Sequence, residues 1–476
     1  MSYAGPSNFA FFKVIKKSKT AAERLLLGME QEIGIEGKVL GVNYYESVYS
    51  PMLTASFLQL DTGGTVANEK GQAGTLKDKL PIEGFEEVLF SIHTGSGRLV
   101  FNDKDSTSNL RSSFIITGSP NNIDSGNKQS AFFPMISSNA FKSSNNPVKN
   151  TYPEAPISEI VKKILKDKNG LKLPNNRLFV EQTKNKIKLV GDNQPPLDTI
   201  LKLCKKSQPL KGDPGYFFFE TQSGFHFKSI HGMIEKGIEK YGKGDVNYKS
   251  SRTYRYGSLL EANLDNDENN YKILKPPVVR RDQDQINAIR NGQYSVRVCT
   301  IDPTSGDYKE KIIKVDNNPS GTLGKVNNEN PQNEQNNSSG DSKNKFCKTF
   351  SYVLNYDQQK QSVVDNPSEY EPRAMMKYGM LHSRLVDIQI PCNVNLEAGE
   401  VIRLLFEDIT QDNKVEHAYN DHNSGFYLIL HLCHHFDSSN SFTSLTLARD
   451  GYGLYNTKKS SGSGKITKED TDLIFY

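Results

Sequence analysis

The densest group of chemically capable side chains in this 476-residue chain is His431, Cys433, His434 and His435. Imidazoles and a thiol this close together are the ligand types a zinc site uses. On a strand, successive side chains point to opposite faces, so His431, Cys433 and His435 share one face and His434 takes the other. Ligands at i, i+2 and i+4 of one strand spread over ~13 Å, too far to chelate one ion unaided. His434 falls in line with Phe426, Leu428, Leu430, Leu432 and Phe436, the pattern of a core histidine. His431, Cys433 and His435 are thus the metal-ligand candidates. The expected reading is a strand whose two faces meet different neighbours, with no metal and no cofactor.

Paired carboxylates could support glycoside hydrolysis, and Glu83, Glu86 and Glu87 are the candidates. Glu86 and Glu87 are adjacent, so on a strand they face opposite ways, and no aromatic sugar platform lies nearby. A solvated or subunit-facing acidic edge is expected instead. No GxSxG, Walker loop or GxGxxG occurs, and Gly95-Ser96-Gly97 lacks a strand–elbow–helix setting. The lysine groups Lys162-Lys163 and Lys202, Lys205, Lys206 read as solvated helix faces. No catalytic set emerges, and the chain is not expected to be an enzyme. Leu473, Ile474, Phe475 and Tyr476 form an apolar patch after a polar stretch, 456–471, whose composition suits a flexible tether. They are candidates for partner binding, the alternative being a frayed end.

Composition narrows the class. There are 59 basic and 55 acidic residues, a net charge of +4 and a mean hydropathy of -0.60. The charge is too balanced for nucleic-acid binding by bulk electrostatics. No apolar run approaches the ~20 residues of a membrane span, so no membrane association is expected. The apolar patch near the start is short and interrupted by Lys13, unlike a signal peptide. Cys204, Cys299, Cys347, Cys392 and Cys433 are widely spaced with no CxxC, as expected of reduced thiols in a protein made in a cytoplasm.

The elements that must position these residues are mostly strands. Leu53, Ala55 and Phe57 alternate with Thr54, Ser56 and Leu58, and Val88, Phe90 and Ile92 share a face. Helical spacing appears at Ile157, Ile160, Val161, Ile164 and Leu165 after Pro156, and at Leu197, Ile200, Leu201 and Cys204 after Pro195-Pro196. Tyr216–Glu220 and 225–230 read as a hairpin. Residues 231–275 read as a polar segment, 293–315 as strands, and everything from Phe346 to Asp450 as further strands. The expected organisation is α+β, mainly β. A tube-like antiparallel β-barrel spans 1–130, and a middle α/β region spans 131–315, with the 215–230 hairpin a candidate to join the second barrel. An Asn-rich loop at 316–345 is too polar to order itself. A second tube-like barrel spans 346–455, followed by the tail 456–476.

Ordered motifs along this frame resemble a known family. They are Tyr45-Glu46-Ser47, Asp61 and Leu80–Glu86 at one end, then Ile157–Leu165, Leu197–Cys204, Gly215–Glu220 and Gly224–Phe227. Ile289–Tyr294, Leu396–Gly399, His435-Phe436 and Thr443–Asp450 complete the series. In order and spacing the chain resembles the baseplate hub proteins of contractile-tailed phages. The resemblance covers most of residues 38–450, with the 316–345 insert and the tail departing from it. It implies a homotrimer in which two tube-like barrels per chain alternate around a pseudo-sixfold ring. That ring would join a three-fold spike or needle protein to a six-fold tail tube. The tail-tube initiator, distal tube proteins and the tape-measure protein would be neighbours, and DNA would pass through the bore without specific binding. The implied location is the virion tail baseplate, assembled in the host cytoplasm. The hub of a type VI or phage-tail-like injection machine is the alternative, and a peptidoglycan-cleaving baseplate enzyme is a third reading.

Overall fold

The computed structural model describes residues 5–16, 32–61, 66–67, 73–74, 82, 84–102, 113–118, 121–125, 128–244, 246–257, 268–281, 284–314, 322–323, 348–357, 362–407, 419–420 and 422–451. Its dominant feature is a single 15-stranded sheet assembled from both ends of the sequence. Alternation of apolar and polar residues drives each strand to cover one face of a common core. Ala55 and Phe57 of Thr54–Asp61 point inward while Leu58 is exposed, as their spacing predicts. Val88, Phe90 and Ile92 are wholly buried.

The first half of the sheet runs from Val39–Ser47 through Thr54–Asp61, Lys128–Ser137, Phe114–Ile116 and Glu87–Thr94 to Asn8–Ile15 and Glu32–Gly34. The last half runs from Gly425–Asp437 through Phe442–Arg449 and Arg384–Pro391 to Val278–Arg281. Val401–Phe406 and Thr253–Tyr256 branch from Gly425–Asp437. Backbone bonds outside the ladders link distant strands of this sheet. Leu274 donates to Gln389 at 2.7 Å and Ile273 to Arg255 at 2.9 Å, bridging the outer strands of the last half. Ser7 donates to Asp437 at 2.9 Å, tying the first half's Asn8–Ile15 strand back to the seam.

The two halves are not separate units. Gly41–Ser47 pairs antiparallel with His431–Asp437, with Tyr44 opposite His434 and Asn43 opposite His435. One apolar core runs behind this seam, from Phe12 and Phe90 in the first half to Ile390 and Leu447 in the last. The expected boundary at 130 falls inside the strand Lys128–Ser137, whose register with Thr54–Asp61 continues to Ile136. The last half also takes Thr253–Tyr256 and Val278–Arg281 from the stretch expected to be middle region. Sheet pairing, not sequence distance, sets the limits.

In the middle, helices Ile157–Lys166 and Pro196–Cys204 appear where their stripes predict, each beginning after a proline. The hairpin forms as Tyr216–Glu220 and Phe225–Ser229. It does not join the sheet of the last half. It pairs with Leu178–Val180 in its own three-stranded sheet and lies between two cores. Tyr216, Phe218, Phe225 and Phe227 pack with the two helices, while Phe217 and Phe219 pack against Ile230, Met233, Val401 and Leu428. This double burial explains its run of aromatics.

Two long helices differ from expectation. Ile230–Lys243 lies in the segment taken as polar, and Pro367–Leu381 in the segment taken as strand. The first carries Gly237, where a side chain would come within 2.5 Å of Val401, so close packing there excludes a good helix former. The second contains Pro372 and buries Ser368 and Lys377 among its apolar residues, which blurs its stripe. It packs on an outlying sheet of Ser295–Ile301, Tyr308–Lys314 and Lys348–Val353. Of the Asn-rich segment only 322–323 are described. Both residues are buried, and Leu323 donates its amide to Asp450 at 2.8 Å, so this part is docked and not an exposed loop. The tail lies outside the described residues.

Candidate functional site: the junction of the two halves

The residues singled out for chemistry are placed as follows. His434 is fully buried, stacked on Tyr44 at 5.9 Å, with Nδ1 2.8 Å from the Thr443 hydroxyl. Burial drives its pKa down to about 3, opposed in part by the Leu396 backbone, so the ring is neutral. It is the core histidine its alternation predicts. His431, Cys433 and His435 lie on the opposite face, each against a different neighbour. His431 meets Tyr49 at 5.3 Å with the rings tilted by 37°, Cys433 lies beside Tyr45, and His435 meets Asn43 and Phe442. Among the described residues, no group of three or more His, Cys, Asp or Glu side chains is gathered to hold a metal ion. This face of the seam is a groove of about 410 Å³ lined by Tyr45, His431, Cys433, Arg280, Asp387 and Thr446, among others.

Glu86 and Glu87 are both buried, which corrects the expectation of a solvated or subunit-facing acidic edge. Glu86 accepts the Gly84 amide at 3.0 Å, and Glu87 accepts the Ser113 hydroxyl. They brace a turn and a neighbouring strand from within. Glu83 and Leu473, Ile474, Phe475 and Tyr476 lie outside the described residues.

The structure instead brings together three other carboxylates, Glu46, Glu220 and Glu397, where first half, hairpin and last half meet. Glu46, 2% exposed on the seam strand, accepts the Tyr44 hydroxyl at 2.6 Å, the Gln222 amide of the hairpin turn at 2.7 Å and the Ala398 amide of the last half at 2.8 Å. One carboxylate thus holds three separate parts of the chain. Glu220, at the end of the first hairpin strand, accepts the Leu53 amide at 3.1 Å, the Ser137 hydroxyl at 2.6 Å and the Asn139 amide at 2.8 Å. It ties the hairpin to the first half. Glu397 accepts the Ser223 hydroxyl at 2.8 Å and the Thr221 hydroxyl at 3.1 Å, tying the hairpin turn to the last half.

Geometry at the turn is tight. Gly224 has φ of +147°, and a side chain there would fall 2.3 Å from the Arg177 carbonyl, so only glycine fits. His226 approaches Glu397 at 3.9 Å, but the two form no ion pair. Burial holds His226 well below its usual pKa, and Lys228 adds to the effect. The ring is neutral, packed between Phe179 and Phe219.

Electrostatics sharpen the picture. Burial, then the charge of Glu397, raises the Glu46 pKa to about 8, against the pull of its three donors. Burial raises Glu220 and Glu397 as well, the latter with help from Glu400. Glu400 itself is held by Arg252 at 3.3 Å and Lys240 at 3.6 Å. These carboxylates spend their oxygens on donors of their own chain, so the arrangement fastens elements together. The sequence signal was an acid closing an otherwise aromatic strand, Tyr216–Glu220, and Glu46 beside paired tyrosines. Their convergence comes from contacts between distant parts of the chain, from Glu220 with Asn139 at a separation of 81 to Glu46 with Gln222 at 176, which no local pattern displays.

No known family and no curated protein matches the chain by sequence. Among solved structures, it is similar to a tail protein from Neisseria meningitidis at 9% identity and TM-score 0.46, covering 94% of this chain and 98% of that one. It is also similar to a prophage tail protein from Shewanella oneidensis at 6% identity and TM-score 0.48, covering 93% and 99%. A component of the E. coli type VI secretion system aligns at 10% identity and TM-score 0.39, covering 88% and 76%.

Proposed function

We infer that this chain is a structural component of a phage tail, the central hub of its baseplate. The observation that carries the reading is the seam. One chain supplies two antiparallel halves, from opposite ends of its sequence, fused edge to edge into one sheet. Three copies of a two-unit chain present six units around an axis, which is how a three-fold spike can meet a six-fold tube. Buried carboxylate ties at Glu46, Glu220 and Glu397 hold the two units and the hairpin in fixed relation, as a load-transmitting collar requires. In this reading the chain seats the spike on one side and the tail-tube initiator on the other. DNA passes through the ring, and the near-balanced charge avoids gripping phosphates. Among the described residues no helix is long and apolar enough to cross a membrane.

Light scattering of the purified chain, alone and mixed with a three-fold spike protein, tests the reading. A trimer mass is expected in at least one condition. A chain that stays monomeric in both contradicts the proposal.

A further inference from the structure

Glu46 differs from the other carboxylates of the junction in what faces it. Glu220 has the charge of Arg177 nearby, Glu397 has that of Lys228, and Glu400 has Arg252 and Lys240. Among the described residues, the groups bonded to Glu46 are neutral donors, the Tyr44 hydroxyl and the Gln222 and Ala398 amides. The charge that bears on it is a second carboxylate, Glu397. The other titratable groups packed around the two acids are His226 and Lys228 of the hairpin, Lys236 of the helix Ile230–Lys243, Glu181 beside Ser229, and His434 behind Tyr44. Both histidines are neutral.

Two like charges held close together away from water, one of them with no cation to offset it, are strongly disfavoured. A proton on one of the two acids removes the repulsion. Glu397 is the better of the two at staying ionised, because its side chain is 18% exposed and Lys228 lies near it. Glu46 is buried and has neither advantage. Its Oε1 accepts from both Tyr44 and Gln222, but its Oε2 accepts only from Ala398, which leaves that oxygen a lone pair for the proton.

We propose that Glu46 is a neutral carboxylic acid in the folded chain, and that loss of its proton is a switch that frees the hairpin turn Thr221–Gly224 from both halves. The proton passes from Oε2 to hydroxide in the solvent. The carboxylate left behind faces Glu397 across the turn that both acids hold. The seam persists, because its ladder is made of backbone bonds. The closed turn keeps the proton up to about pH 8, whereas an open turn with Glu46 in water releases it near 4.5. Rising pH between these values therefore favours the open form, and the effect levels off above 8.

Two measurements on the full chain test this. The first is infrared absorption of protonated carboxyl groups at neutral pH. A band present in the parent chain and missing from Glu46→Gln is expected, and identical spectra overturn the proposal. The second is hydrogen exchange, corrected for its intrinsic pH dependence, at the Gln222 and Ala398 amides between pH 6 and about 8.5. These amides should open at least about tenfold more at the upper end, beyond any change in the seam strand His431–Asp437. In Glu46→Gln, whose side chain mimics the neutral acid, the rise should vanish. In Glu397→Gln, which removes the facing charge, the rise should end at a lower pH. A rise that persists in Glu46→Gln, or one shared equally by the seam amides, overturns the proposal. The switch is independent of the hub reading: a trimer whose hairpin turn is indifferent to pH rejects the switch alone.

Discussion

The two halves of the long sheet solve one geometric problem with different chemistry. In the first half the core is aromatic. Phe12 stacks on Phe90 at 5.5 Å, Phe57 on Phe133 at 4.5 Å, and Phe101 meets Phe114 edge-on at 4.9 Å. In the last half the same layer is filled by Ile388, Ile390, Ile402, Leu404, Ile429, Leu445 and Leu447. At the seam one ring from each side, Tyr44 and His434, lies face to face. A pleated strand dictates which residues face inward but leaves the filling open, provided volume and packing density are kept. Likeness between the halves therefore survives as pattern and vanishes as residue identity.

If the seam makes the halves one cooperative unit, damage to either core should lower a single shared transition. Phe90→Ala is expected to cost about 3–5 kcal/mol and Leu447→Ala about 2–5 kcal/mol, each shifting one calorimetric peak. Two separated peaks would show that the halves melt independently.

His434 tests the seam itself. Its folded pKa of about 3 lies below the ordinary value of 6.5, so the unfolded chain takes up a proton that the folded chain refuses. The stability this contributes is complete above pH 6.5 and is lost as pH falls toward 3, at up to about 1.4 kcal/mol per unit. In His434→Gln the urea midpoint should fall less steeply between pH 6.5 and 4 than in the parent chain. Parallel profiles would remove the histidine from the account.

Glu46 works in the opposite sense. Its folded pKa of about 8 lies above 4.5, so its contribution is complete below pH 4.5 and is lost as pH rises through 8. Glu46→Gln should flatten the stability profile across that window, measured again by urea midpoints. A steeper profile would mean that the three donors to Glu46, and not its burial, govern the site.

The smallest effect belongs to the groove face. Cys433→Ser is expected to change stability by no more than about 0.5 kcal/mol, and added zinc should leave the melting temperature of the parent chain unmoved. A zinc-dependent rise would revive His431, Cys433 and His435 as ligands.

Much of this was legible in the sequence where a single element carried its own pattern. Alternation placed His434 in the core and Leu58 outside it, and helical stripes located Ile157–Lys166 and Pro196–Cys204 to within a residue or two. Patterns failed where a neighbour decided the matter. Glycines at 232, 237 and 242 hid the helix Ile230–Lys243, and two of them are demanded by Glu181 and Val401 pressing against it. Pro372 and a buried lysine hid Pro367–Leu381. Glu86 and Glu87 read as surface because charged residues usually are, yet a nearby turn amide and serine hydroxyl allow their burial. The junction was out of reach for the same reason: each of its carboxylates is satisfied by donors from distant parts of the chain.

The central claim is that one polypeptide supplies two ring units to a three-chain collar. End-on electron-microscopy class averages of the assembled protein test it most directly. The account predicts a particle of three chains showing six lobes around an open centre. Averages with three lobes, or with no channel, would contradict it.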